Sequence, residues 1–162
     1  MSLWLLIPLL AIAAIIQSTL VPDLLIAGFK LDFTLMLVLS RGLTAQDGKA
    51  FGWGLGLGVF LDLASGLPFG SLTLALTIIG ALTSLEIVDG LRGNLIFAPA
   101  AMIVATLVEH VIVLTLLALT NHTVEWSDYL ISVTLPSAIL NTFFLPVVYF
   151  PVLWLTGRRE SR

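Results

Sequence analysis

Two carboxylates and an imidazole lie inside apolar stretches of this sequence, where they could bind a proton or a cation. Asp62 ends a glycine-rich apolar run that begins at Gly48, and Glu109 stands beside His110 near the middle of another apolar run. A charged side chain at the centre of a bilayer costs about 2.5–3.5 kcal/mol on insertion scales, so each group needs compensation or a function.

The sequence leaves the role of the Asp62 side chain open. It is a proton or cation site, or a polar contact with a partner helix. Alternatively, it lies near the outer end of its helix and caps the turn at 65–68 by accepting backbone N–H bonds. Ser65, Gly66 and Gly70 are expected to shape that turn.

Glu109 is open to two interpretations as well. With His110 it could relay protons, since the two side chains titrate in useful ranges, although no visible chain of further acids accompanies the pair. Alternatively, it faces the interior of a helix bundle and bonds to polar groups such as Gln17 or Asn141.

Gln17 and Asn141 are first expected to be structural. Gln17 stands with two hydroxyl residues at the end of an apolar segment, where such groups bond across helices or cap helix ends. Asn141 lies between Pro136 and Pro146 and could satisfy the backbone carbonyls that those prolines free.

No catalytic or nucleotide-binding pattern accompanies these groups. The chain has no cysteine, and no nucleophilic triad, pair of catalytic carboxylates or metal-ligand spacing is visible, so we expect neither an enzyme nor a cofactor. The glycine run from Gly48 lacks the preceding strand and the Lys-Ser/Thr of a phosphate-binding loop. A net charge of −3 without a basic patch argues against nucleic acid.

The composition requires a lipid bilayer as the solvent of this chain. Of the 162 residues, 59% are hydrophobic and 10% are charged, whereas soluble domains average about 25% charged residues. Six apolar segments predict an all-α membrane protein, a compact bundle of six transmembrane helices forming one domain over residues 1–162. They span about 3–21, 33–43, 50–63, 71–85, 95–119 and 129–155. The second and third are short and must recruit flanking residues or be covered by neighbouring helices.

The distribution of basic residues predicts the orientation of the six segments. Only Lys30 falls on the side opposite the termini, so both termini are predicted to be cytoplasmic. The terminal side collects the remaining basic residues, Arg41, Lys49, Arg92, Arg158, Arg159 and Arg162. Aromatic residues near predicted segment ends suit a membrane-interface belt: Trp4, Trp126, Tyr129, Tyr149 and Trp154.

The third segment carries glycines at helical spacing. Gly48, Gly52 and Gly56 are four residues apart, as are Gly54 and Gly58. Small residues at this spacing let another helix approach closely, so we expect them to pack against a helix of this chain or of a partner.

Short motifs follow one another in a fixed order along the sequence. They are Gln17-Ser18-Thr19 before Pro22, Gly28 to Asp32 opening a helix that ends at Arg41-Gly42, the glycines before Asp62, and Ser65-Gly66, Pro68, Gly70 and Gly80 after it. Their order resembles the MreD family of bacterial rod shape-determining proteins, over nearly the whole chain. Leu31 departs from the family, which often carries Pro before the Asp.

The resemblance implies a fold similar to the six-helix substrate-binding components of energy-coupling-factor transporters. It implies a bacterial inner-membrane subunit that is not an enzyme and that binds MreC. Through MreC the family is associated with MreB, RodA and the elongation transpeptidase in lateral peptidoglycan synthesis and cell shape.

Two functions of different classes follow. The first is a scaffold that binds the transmembrane helix of a partner, chiefly through the glycines of the third segment. The second is a small-molecule-binding component of a transporter, with a pocket near Asp62, Gln17 and Glu109. Polar structural or partner contacts are expected at Gln17, Asp32, Asp62, Ser65, Gly66, Gly70, Glu109 and Asn141.

Overall fold

The computed structural model describes residues 15, 31–44, 48–85, 88, 96–120, 123 and 125–160, with no strand among them. The helices are α1 (Phe33–Thr44), α2 (Ala50–Ala64), α3 (Ser71–Leu82), α4 (Phe97–Leu119) and α5 over 126–160. In α5, one turn at Trp126–Tyr129 and a π-helical stretch at Leu130–Thr134 precede the main part, Leu135–Glu160. These helices coincide with the second to sixth predicted segments. The first segment lies outside the described residues except for Ile15, and the six-helix bundle stays a prediction.

Two of the described helices are long and apolar enough to cross a bilayer. They are Phe97–Leu119 and Trp126–Thr156, with mean hydropathies of 2.3 and 1.8. A membrane crossing needs about 20 helical residues, whereas α1, α2 and α3 have 12, 15 and 12. The short helices therefore depend on their neighbours for cover.

Helix α1 has that cover, because it contacts each of the other four described helices. Most of its residues are buried, including the polar Thr34 and Ser40. Leu35 and Leu39 of α1 join a core to which α2, α3, α4 and α5 all contribute. A helix too short to span alone is thus enclosed by protein rather than by lipid, as the sequence required.

Helices α2 and α3 pack as a hairpin with their backbones in contact. A Cβ atom on Gly54 would overlap the backbone carbonyl of Leu76, and one on Gly58 would overlap the backbone of Thr73. A Cβ atom on Gly80 of α3 would likewise overlap the carbonyl of Ala50. No flexible side-chain tip lies at these contacts, so the fold requires glycine at all three positions.

We expect Gly54→Ala to destabilise the protein and Gly52→Ala to leave it as stable or to stabilise it slightly, because alanine is the better helix former. The methyl group on residue 54 must push α3 away, which costs about 1–3 kcal/mol. Residue 52 has nothing within 4 Å of the corresponding position. The measurement is the free energy of unfolding of each purified variant in detergent. Equal stability of the two variants would show that the hairpin is not closed through Gly54.

Candidate functional site

The side chain of Asp62 is buried, with an exposed fraction of 4%, and binds the beginning of α3. Its Oδ2 accepts hydrogen bonds from the backbone N–H groups of Gly70 and Thr73, at 2.9 and 3.0 Å, and from the Thr73 hydroxyl. Its Oδ1 accepts one from the N–H of Leu72, at 3.0 Å. Four hydrogen bonds therefore converge on one carboxylate.

This arrangement replaces the missing cap of α3. The N-cap residue is Gly70, with a φ of +99°, which has no side chain to accept the first N–H groups of the helix. Glycine adopts this left-handed conformation without strain, and Asp62 from the preceding helix supplies the oxygen atoms instead. A negative charge is also favourable beside the positive end of the helix dipole.

The geometry favours capping over cation binding. A carboxylate offers about four acceptor positions, and four donors of α3 and its cap occupy them. The capped element differs from the predicted one: the N–H donors are Gly70, Leu72 and Thr73, not the turn at 65–68. Ser65 only donates from its hydroxyl to the backbone carbonyl of Asp62, at 3.4 Å.

A second polar group joins α1, α4 and α5. Asp32 caps α1, because its Oδ1 accepts hydrogen bonds from the N–H of Leu35 at 2.9 Å and the Thr34 hydroxyl at 2.8 Å. Its own N–H donates to Oδ1 of Asn141 at 2.8 Å. The Nδ2 of Asn141 donates to the Thr106 hydroxyl at 3.2 Å. We call Asp32, Asn141 and Thr106 the interhelical chain.

The interhelical chain corrects the sequence-based interpretation of Asn141. Its side chain bonds between helices instead of satisfying the carbonyls freed by Pro136 and Pro146. All three members of the chain are buried, with exposed fractions of 6% or less. These three buried residues can bond to one another only when the helices keep this relative placement. The interhelical chain therefore fixes how α1, α4 and α5 pack together.

Glu109 and His110 lie on α4 near the interhelical chain and are both buried. Glu109 follows Thr106 by one turn. His110 Nδ1 is 2.9 Å from the Thr134 hydroxyl, and its ring meets that of Tyr129 edge-on at 5.7 Å. The Thr134 hydroxyl also donates to the Tyr129 carbonyl at 3.4 Å. His110 thereby supports the π-helical turn of α5, while a proton relay through the pair stays a prediction.

The predicted site residues separate into distinct places. Asp62, Ser65 and Gly70 come together, as do Asp32 and Asn141. Gly66 is exposed, Gly56 is half-buried, and Gln17 lies outside the described residues. Gly54 and Gly58 face α3, whereas Gly48, with a φ of +65°, and Gly52 face open space. Tyr149, expected in an aromatic belt, is instead only 4% exposed and packs in the core.

Sequence reasoning missed the threonines. Thr73 and Thr106 complete the two polar groups, and Thr134 binds His110. The sequence did contain an indication of these contacts, since a threonine hydroxyl in an apolar helix must bond its own backbone or a neighbouring helix. Nothing in the sequence indicated the π-helical turn. In the part of the chain that the structure describes, no three metal-ligating side chains converge.

We expect Asp62→Leu to lower the free energy of unfolding by about 3 kcal/mol, because it leaves one buried and two partly buried N–H groups without an acceptor. Asp62→Asn keeps one carbonyl oxygen and should cost about 1 kcal/mol. The measurement is unfolding in detergent, with Ser65→Ala as a control of little effect. Equal losses from the Asn and Leu variants would mean that the charge matters and the number of hydrogen bonds does not.

Removing the interhelical chain should also destabilise the fold. Asn141→Leu keeps the volume but leaves the Asp32 N–H unsatisfied, at a cost of about 1–3 kcal/mol. The neighbouring Thr142 hydroxyl bonds only the Ala138 carbonyl of its own helix, at 2.7 Å. Thr142→Val is therefore the matched control and should change little. A stable Asn141→Leu variant would contradict the role assigned to the chain.

Comparison with known proteins gives one match. The model of a family described as rod shape-determining protein MreD matches residues 1–158. No curated protein sequence and no solved structure matches the chain. Because the family match extends over nearly the whole chain, from the first apolar segment to residue 158 in α5, the chain belongs to the MreD family of rod shape-determining proteins.

Proposed function

We propose that this chain is a multi-pass subunit of the bacterial inner membrane, without enzymatic activity, that binds the transmembrane helix of MreC. Through MreC it takes part in controlling lateral peptidoglycan synthesis by the complex of MreB, RodA and the elongation transpeptidase. The family establishes a membrane-associated rod shape-determining protein. Six spans, cytoplasmic termini and these partners belong to the proposal.

The glycines of α2 lie on two sides of the helix, and this arrangement supports the proposed function. Gly54 and Gly58 are used inside the fold, against α3. On another side of α2, Gly52, Leu55, Gly56 and Val59 follow the spacing of one helix face, at positions i, i+3, i+4 and i+7. We call these residues the outer face of α2.

The outer face of α2 suits a helix partner. Leu55 and Val59 are 44% and 36% exposed, and nothing lies within 4 Å of a Cβ atom built on Gly52. In a bilayer, helices associate through close van der Waals packing at small residues rather than through a hydrophobic driving force. A glycine with free space between branched apolar side chains provides that packing, and Asp62 holds α2 in place from its outer end.

The alternative, a small-molecule-binding component of a transporter, gains no support from Asp62 or Glu109, the two residues of its proposed pocket that the structure describes. The acceptor positions of Asp62 are occupied by α3. An apolar cavity lies between α1, α3 and α4, and neither Asp62 nor Glu109 is among its described lining residues.

We expect Gly52→Leu to reduce recovery of MreC about tenfold, which corresponds to a loss of about 1.4 kcal/mol of binding free energy. The added bulk separates the two helices without touching the interior of this fold. The measurement is affinity purification of the tagged chain in mild detergent, with quantitative mass spectrometry of the proteins recovered.

Ala118→Leu is the matched control, because it adds bulk to an exposed position of α4 away from α2. Both variants must first be shown to have the same unfolding temperature as the wild-type protein. Full recovery of MreC by the Gly52→Leu variant would exclude the outer face of α2 as the binding surface. Recovery of a bound small molecule without MreC would favour the transporter alternative.

A further inference from the structure

A cavity of about 270 Å³ lies between α1, α3 and α4. Its deep wall includes Leu39, Ile79 and Ala105, which are at most 6% exposed. Its edge includes Leu82 of α3 and Val104 of α4, which are 47% and 58% exposed. The cavity is therefore deep in the protein at one end and opens sideways between α3 and α4.

The wall of the cavity is apolar. Thr83 is the one polar side chain among its described lining residues. The Thr83 hydroxyl donates back to the carbonyl groups of Ile79 and Gly80 in its own helix, at 3.1 and 3.0 Å. A water molecule needs two to four polar partners, and an apolar cavity without them stays dry and accepts hydrocarbon guests. The chemistry of the wall selects a hydrocarbon.

The size of the cavity suits a slender apolar guest. An apolar cavity of about 150 Å³ already holds a molecule of the size of benzene, and this cavity has about 270 Å³. In a bilayer, the apolar molecule present at the highest concentration at the opening is the acyl chain of a lipid. The space therefore suits one extended hydrocarbon chain.

We propose that this cavity binds one acyl chain of a membrane phospholipid, which enters from the bilayer between Leu82 and Val104. The inference rests on the proposed multi-pass topology, since only then does the opening face lipid. The cavity lies near the end of α3 and the beginning of α4, which that topology places in the cytoplasmic half of the membrane. The bound chain fills the gap between these helices and α1.

The test uses the full chain reconstituted in phosphatidylcholine vesicles that contain a phospholipid with a diazirine in the middle of one acyl chain. After photolysis, mass spectrometry locates the adducts. We expect adducts on the deep residues Ile79 and Ala105, and on Ile103, which is 41% exposed on α4 and not part of the cavity wall.

Variants distinguish labelling by an acyl chain bound in the cavity from labelling by the lipid that surrounds the protein. Ala101→Phe places a ring in the cavity and should reduce deep labelling at least tenfold while Ile103 stays labelled. Ile103→Phe adds the same kind of bulk outside the cavity and should leave deep labelling unchanged. Ala101→Leu repeats the test with less added volume if the Phe variant does not fold.

Each remaining result overturns the inference in a distinct way. Wild-type labelling of Ile103 without Ile79 and Ala105 would mean that the cavity holds no acyl chain, with the membrane topology intact. Deep labelling that persists in both Ala101 variants would mean that lipid reaches those residues by another route. Absence of adducts at all three residues would overturn the proposed topology and this site with it.

Discussion

The structure depends on one constraint, the close return of α3 against α2. Two features hold it: glycine backbone contacts at Gly54, Gly58 and Gly80, and the carboxylate of Asp62 bound to the first N–H groups of α3. The features depend on each other. The carboxylate reaches α3 only if the helices lie close, and the close approach is possible only without Cβ atoms at the contacts. Gly70 reverses the chain with a positive φ and has no side chain to cap α3. Asp62, on the preceding helix α2, provides the cap instead.

Contacts with neighbouring helices also explain how the short helix α1 is accommodated. A helix of 12 residues would leave the ends of its backbone in hydrocarbon, where unsatisfied polar groups are costly. Here the helix is surrounded by α2, α3, α4 and α5. Its first turn is capped by Asp32, and the Asp32 N–H is bound by Asn141. Polar side chains are thus concentrated where α1 begins, and the interhelical chain determines which way α4 and α5 face it.

The sequence predicted the helices well and the polar contacts in part. The apolar segments located α1 to α5 within a few residues, because apolar segments between turn residues are strong signals in membrane proteins. The two faces of α2 could be separated by spacing alone, but which face meets α3 depends on tertiary packing. The role of Asp62 as a cap was foreseen among its alternatives, yet its partners in α3 were not, because they lie up to 11 residues away across a reversal of the chain. Asn141 was assigned to local carbonyls because local partners can be read from sequence and interhelical partners cannot.

The three places identified here are separate in the fold, and this separation has a consequence. The outer face of α2 points away from α3, the Asp62 cap lies at the end of α2, and the apolar cavity lies between α1, α3 and α4 near the end of α3. Helix α3 is the element they share: it is capped by Asp62, packed on the glycines of α2, and forms one wall of the cavity. An acyl chain in the cavity therefore does not compete with a helix on the outer face of α2. The two proposed ligands can influence each other through α3, which the backbone contacts at Gly54, Gly58 and Gly80 hold in place, and through α1, which contacts α2 and lines the cavity.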